Sequence, residues 1–142
     1  MNFYLDSSAL AKRYLVEPGT AEVRDLFRRP RDIAVSRLAF AEVASALARR
    51  AREGKIELAA RDSALAGLPR DFQRLIIVEV RRALVERVAP LVVRHPLRGF
   101  DALQLASALT LREESGAVDF WTADDRLATA ARAEGLRSTA LT

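Results

Sequence analysis

Cysteine is absent from this chain of 142 residues, and that gap removes disulfide bridges and thiolate metal centres together. Histidine is nearly absent too. His95 stands alone beside Pro96 in an expected loop, so a structural role is expected for it rather than service as a catalytic base. No apolar run approaches the roughly 18 residues that a membrane-spanning helix needs, so no membrane is expected among the partners. The opening Met-Asn-Phe-Tyr-Leu-Asp has neither a basic leader nor a long apolar segment. No signal peptide is expected, and with cysteine missing the default address is cytoplasmic. Internal repeats, low-complexity tracts and Gly/Ser linkers are also lacking, and 1–142 reads as one domain long enough for a core. Lysine is scarce: Lys12 and Lys55 stand against 21 arginines. The planar arginine fork binds phosphate bidentately, which is compatible with a nucleic-acid partner. Genomic base composition or heat adaptation produces the same bias, so a net charge of +4 decides nothing alone.

What the chain does have is alternation. Asn2 to Leu5 reads as a buried strand, followed by a helix over about 8–17. Thr20 is placed to cap a second helix, in which Val23, Leu26 and Phe27 form an apolar stripe. Ile33-Ala34-Val35 reads as a short strand, and Ser36 as the cap of a long helix closed by Gly54. A helix over 57–68 follows, with Leu58, Leu65 and Leu68 inward and Pro69 just beyond its end. Leu75 to Val78 is rich in β-branched residues and reads as a strand. Residues 81–94 read as a helix kinked at Pro90, or as a helix followed by a strand at Leu91-Val92-Val93. A helix over 100–114, a strand over 118–121, a helix over 125–134 and an edge strand over 138–141 complete the chain. Strands separated by helices imply a parallel sheet covered on both faces.

Four acids stand where these elements change. Asp6 closes the first apolar run, and Glu42 lies early in the long helix. Asp101 opens the most apolar helix, and Asp124 follows the strand Val118 to Trp121. Each has an ordinary explanation. Asp6 and Asp124 are well placed as helix N-caps, with Thr122 competing for the second cap. Stepping 100° per residue puts Phe40, Ala44, Leu47, Ala48 and Ala51 on the core side of the long helix and Glu42 opposite, on a solvated face. Asp101 suits a helix dipole. Together, carboxylates at strand ends and helix starts tend to converge on one edge of an α/β sheet, where they can hold a hard divalent ion against a phosphate ester.

The joint pattern carries a resemblance. Leu5-Asp6-Ser7-Ser8-Ala9-Leu10 resembles the first motif of PIN domains, the nuclease fold of VapC-type toxins, and Ala41-Glu42-Val43-Ala44-Ser45-Ala46-Leu47 looks like the second. Leu97-Arg98-Gly99-Phe100-Asp101-Ala102-Leu103-Gln104-Leu105-Ala106-Ser107-Ala108 is similar to the third, and Thr122-Ala123-Asp124-Asp125-Arg126-Leu127 to the fourth. The likeness spans essentially the whole chain, with one small departure: Gln104 stands where many relatives carry histidine, at a position not counted as catalytic.

The resemblance implies a three-layer α/β/α fold with a parallel sheet of four to five strands in the order 3-2-1-4-5. Asp6 and Asp124 would then lie side by side at the switch point. It implies Mg²⁺ or Mn²⁺ ligated by Asp6, Asp101 and Asp124, with Glu42 a further ligand or the group that positions water. Asp125 is a secondary candidate, Ser7 and Thr122 are hydroxyls that order the site, and Arg98 and Arg126 would hold substrate phosphates. The implied activity is a metal-dependent endoribonuclease acting as the toxin of a toxin–antitoxin pair, with RNA as substrate, a small antitoxin as partner and a homodimeric assembly. A PIN nuclease of RNA processing or decay is the alternative, as is an inactive binding module, which the presence of all four acids disfavours. Other aspartate-dependent folds fit worse. A haloacid-dehalogenase phosphatase needs an aspartate where Ser8 stands, and a response-regulator receiver needs a lysine later than Lys55.

Overall fold

In the computed structural model, which describes residues 1–141, five parallel strands run in the order β3-β2-β1-β4-β5. They are β1 (Asn2–Leu5), β2 (Ile33–Ser36), β3 (Ile76–Val78), β4 (Val118–Thr122) and β5 (Arg137–Ala140). Tyr4 pairs with Phe120 and Leu5 with Trp121, so β1 and β4 finish almost level. Side chains alternate between faces: Tyr4, Ala34 and Phe120 go one way, Leu5, Ile33 and Val35 the other. Both faces are covered, which is why successive strand positions are apolar.

Helices α1 (Ser7–Ala11), α2 (Thr20–Leu26), α3 (Ala39–Arg52) and α4 (Leu58–Phe72) cover the Leu5 face through Leu10, Val23, Val43, Leu47 and Leu68. Helices α5 (Arg82–Glu86), α6 (Val88–Arg94), α7 (Gly99–Ser115) and α8 (Asp125–Ala133) cover the other through Leu84, Leu91, Leu105, Leu109 and Leu127. This is the three-layer arrangement and strand order expected. Between β1 and β4 the direction of winding reverses, which leaves a crevice beyond their carboxyl ends.

Several element readings need correction. The first helix ends at Ala11, well short of residue 17. The Thr20 hydroxyl donates to the Leu15 carbonyl and accepts from the Glu17 amide, folding the chain back on itself, so Thr20 braces this turn and Gly19 occupies the cap position of α2. Ser36 ends β2, three residues before α3 begins, and accepts from the Leu38 amide. The buried stripe of α3 is Ala39, Val43, Leu47 and Ala51, so the phase is shifted and Glu42 borders the core while Phe40 is exposed. Helix α4 continues through Pro69 to Phe72, and Leu58 at its start is exposed. Residues 81–94 form two helices and no strand. Pro90 sits in the first turn of α6, where its missing N–H costs nothing.

Contacts beyond Pro69 hold the last turn of α4. Phe72 meets the Phe40 ring edge-on at 5.2 Å, and buried Asp71 takes Arg13 Nε at 2.8 Å, Arg13 Nη2 at 3.2 Å and the Tyr14 hydroxyl at 2.6 Å. The Arg13 guanidinium also lies 3.9 Å from the Phe27 ring centroid. Burial pushes the Asp71 carboxyl up, but the hydrogen bonds of Arg13 and Tyr14 outweigh it and hold the group below the usual carboxylate range. A depressed folded-state value stabilises the protein above the unfolded value and loses that stabilisation as pH falls through the folded one. Asp71→Asn should therefore cost about 2 kcal/mol at neutral pH, with the gap closing below about pH 4. Denaturant unfolding of both proteins at pH 7 and pH 3 checks this, and a gap of the same size at both would refute the ion-pair account.

Candidate functional site

Asp6 is the first residue beyond β1 and the N-cap of α1, with extended backbone at φ −72° and ψ 176°. Its Oδ1 accepts from the Ala9 amide at 2.9 Å and from Ser8 Oγ at 2.7 Å. Its Oδ2 accepts from Thr122 Oγ1 at 2.6 Å, and Thr122 is the last residue of β4. One Asp6 side chain thus caps α1 and also ties the start of that helix to the end of β4. Asp124 is the N-cap of α8, its Oδ1 accepting from the Arg126 amide at 2.9 Å and the Leu127 amide at 3.3 Å. Thr122 is not the competing cap. Its hydroxyl is committed to Asp6 and accepts from the Asp124 amide at 3.0 Å. Asp125 is exposed in the first turn of α8.

Glu42 is half-buried rather than solvated. Its Oε1 accepts from Ser7 Oγ at 2.6 Å and from Gln104 Nε2 at 3.1 Å, and the same Gln104 nitrogen donates to Ser7 Oγ at 3.1 Å. The buried Tyr4 hydroxyl donates to Gln104 Oε1, which fixes the orientation of the amide. Burial pushes the Tyr4 phenol far up, so it remains a donor at any ordinary pH. Gln104 and Ser8 are the site residues that the reading of motifs passed over. The signal for Gln104 was its place on α7: a buried amide among Leu103, Leu105 and Ala106 must find partners.

Burial pushes the Asp6 carboxyl up to about 6; the hydrogen bonds of Thr122, Ser8 and Ala9 oppose the rise, and the charge of Asp101 adds to it. The Asp101 carboxyl is also raised, first by burial, then by Asp124 and Glu42, with Arg98 opposing. All four acids therefore lie within one electrostatic neighbourhood. Among the described residues none of them is ion-paired. Among the same residues no three carboxylates are drawn together tightly enough to hold an ion, because Asp6, Glu42 and Asp124 are turned toward hydroxyl and amide donors. The donor set nevertheless fits a hard divalent cation: oxygen only, and short of positive charge.

Asp101, Asp124 and Asp125 line a polar recess of about 510 Å³ together with Arg98 and Arg126. Ser7, Ser8 and Glu42 line a separate groove of about 870 Å³. His95 stands apart, its Nε2 2.6 Å from Glu134 Oε2 beside the Arg94–Glu134 pair, as a structural residue would.

The family model for the PIN domain matches residues 3–133. Ribonuclease VapC45 of Mycobacterium tuberculosis (strain CDC 1551 / Oshkosh) is 35% identical over 138 residues, covering 94% of this chain and 92% of its own length. Among solved structures, that of PAE2754 from Pyrobaculum aerophilum superposes with a TM-score of 0.68 at 21% identity, over 97% of this chain and 89% of that one. The Mycobacterium tuberculosis VapC20 structure, a sarcin–ricin loop cleaving toxin, gives 0.65 at 19% identity, over 95% of this chain and 96% of its own.

A buried acid with a raised folded-state value destabilises the protein wherever it is ionised. The penalty is absent below its unfolded value and complete above about pH 6. Asp6→Asn should then raise the Tm of metal-free protein by several degrees at pH 7.5, with the gain vanishing below about pH 4. Added Mn²⁺ should stabilise the parent and leave the variant unmoved. Calorimetric melting across pH tests both, and a variant less stable than the parent at pH 7.5 would refute the electrostatic account.

Proposed function

The chain belongs to the PIN-domain family, and on that premise we propose that it is a metal-dependent endoribonuclease of the VapC type, the toxin of a toxin–antitoxin pair. The observation that supports this most is the crossing of Asp6 and Thr122 at the β1–β4 switch point, with Asp101, Asp124 and Glu42 inside the same electrostatic neighbourhood. Asp6, Asp101 and Asp124 are the residues proposed to hold Mg²⁺ or Mn²⁺. When bound, such an ion supplies Lewis-acid charge for the scissile phosphate and lowers the pKa of a coordinated water.

The chain's own residues do the rest. Ser8, Thr122 and the Ala9 amide hold both Asp6 oxygens, so this carboxylate is positioned before substrate arrives. Ser7 and Gln104 hold Glu42 through Oε1 and leave Oε2 to take a proton from a water beside the cluster. Arg98 and Arg126 share the recess of Asp101 and Asp124, where they would bind flanking phosphates and balance charge on the phosphodiester. The antitoxin partner and the cytoplasmic address belong to the same reading.

A homodimer belongs to it as well. An apolar groove of about 720 Å³ lies beside the acids, lined by Leu38, Val80, Val85, Val88, Phe100 and Leu103. Phe100 is 66% exposed although it directly precedes Asp101. A face of this kind suits a second copy of the chain. Phe100→Asp should shift sedimentation toward monomer with little change in Tm, and an unshifted dimer would move the interface elsewhere.

Purified protein should cleave single-stranded or loop RNA with Mg²⁺ or Mn²⁺ and stop when chelator is added. Asp124→Asn keeps an acceptor for the α8 cap but loses ligand charge, so cleavage should fall by orders of magnitude with Tm nearly unchanged. Asp124→Ala should in addition lose the cap, about 1 kcal/mol. Asp125→Ala should retain most activity. Single-turnover cleavage and Mn²⁺ calorimetry on the three variants measure this. Loss of metal in Asp125→Ala with retention in Asp124→Asn would move the ligand by one residue.

A further inference from the structure

The four acids do not share one opening. Asp101 and Asp124 face the recess with Arg98 and Arg126, whereas Ser7, Ser8 and Glu42 face the larger groove, and buried Asp6 lies between them, bonded to Ser8 on one side and Thr122 on the other. Ala123 lines the groove and Asp124 the recess, so a strand drawn across the acids from the recess can leave through that groove.

Helix α3 forms one wall of the groove. Glu42, Ser45, Ala46 and Arg49 fall at i, i+3, i+4 and i+7, so a single helix face lines it for two turns, roughly 10 Å. Small residues separate the acid at one end from arginine at the other. Across from Arg49 and Arg50 stands Lys12, only 4% exposed. Its Nζ lies 3.2 Å from Glu17 Oε1, and Arg50 Nη2 lies 3.4 Å from the other oxygen of the same carboxylate. Gly19 makes room for it. A Cβ there would lie 3.0 Å from Lys12 Cδ, and its φ of +93° also favours glycine. A buried ammonium is costly, yet the chain bends to place this one in the wall and gives it half of one carboxylate. The far end of the groove thus carries three cations, Lys12, Arg49 and Arg50, against Glu17, with Glu53 3.9 Å from Arg49 Nε on the same helix.

We infer that this groove is the path of single-stranded RNA leaving the acid cluster, with Lys12, Arg49 and Arg50 holding backbone phosphates on the side of the scissile bond opposite to Arg98 and Arg126. The inference rests on the nuclease reading for the identity of the strand. A net positive charge at the far end, serine hydroxyls along the wall and a groove that reaches Glu42 suit a polyanion, since phosphate contacts supply affinity without reading sequence.

The test uses the full chain with Arg49→Ala/Arg50→Ala, which leaves helix-forming residues on α3, and separately Lys12→Met, which keeps the buried stem and removes the charge. Cleavage of RNA oligonucleotides shortened stepwise from each end, in Mn²⁺, should show KM rising about tenfold for each variant on long substrates, with kcat within about threefold of the parent. Parent and variants should converge once the substrate no longer reaches the far end of the groove. In an Asp6→Asn background, the salt slope of binding to a fluorescent RNA should fall by roughly 1.4 for the double variant, about 0.7 per phosphate contact. If Lys12→Met does not fold, the arginine pair carries the test alone. A parent that cleaves RNA, with variants matching its KM and salt slope at every length, overturns the inference. So does a double variant that cleaves normally but escapes inhibition by the antitoxin, which would give the groove to the protein partner. Salt-dependent RNA binding by the parent, lost in the variants but unaccompanied by cleavage, would instead overturn the nuclease reading and leave the groove standing.

Discussion

The bond from Thr122 to Asp6 joins the last residue of β4 to the first residue after β1, and much else is arranged around it. A carboxylate in that position cannot be solvated, since both strands run into the core and α1 closes over it. It is supported by a ring of neutral donors, two hydroxyls and an amide, none of which cancels its charge. The result is a preformed, poorly neutralised anion at the point where the sheet opens. Sequence-neighbouring residues are recruited to the same end. Thr122 orients the Asp124 amide, and Ser8 takes the Ala123 amide at 3.0 Å, so the β4–α8 turn is built on side chains of β4 and α1.

A second layer of control passes through the opposite face of the sheet. Tyr4 stacks on Phe120 with centroids 5.5 Å apart and reaches Gln104 on α7. Gln104 then returns to Glu42 and Ser7. Both helical layers therefore set the position of one glutamate, which links packing around α7 to the geometry of the acids.

The alternation of strands and helices and the acidic motifs were legible because they depend on local pattern: β-branched runs, helix breakers at the joins, acids at the ends of elements. The strand order followed only from the family resemblance that those motifs carry. The errors have other causes. The first helix stopped early because Thr20, nine residues beyond Ala11, bonds back to Leu15. Helix α4 ran through Pro69 because Asp71 and Phe72 are anchored by Arg13, Tyr14 and Phe40. The phase of α3 was misjudged because alanine marks a core face poorly; Ala39 is buried whereas Phe40 is exposed over the end of α4. Gln104 was set aside because its partners lie on three other elements. For α4 and Gln104 a tertiary contact decided what local propensity left open, and for the first helix a side-chain bond within the following turn did.

Helix α7 is buried through its middle, from Ala102 through Leu109 without interruption. Alanines at 102, 106 and 108 let the sheet, α5, α6 and α8 close on its backbone, and even Ser107 satisfies itself on the Leu103 carbonyl. A segment so enclosed has few partners to lose one at a time, which places its central amides among the slowest of the molecule to exchange with solvent. Gln104 is mounted within that segment and Asp101 directly precedes it, so both acid-holding positions are tied to the least yielding part of the fold.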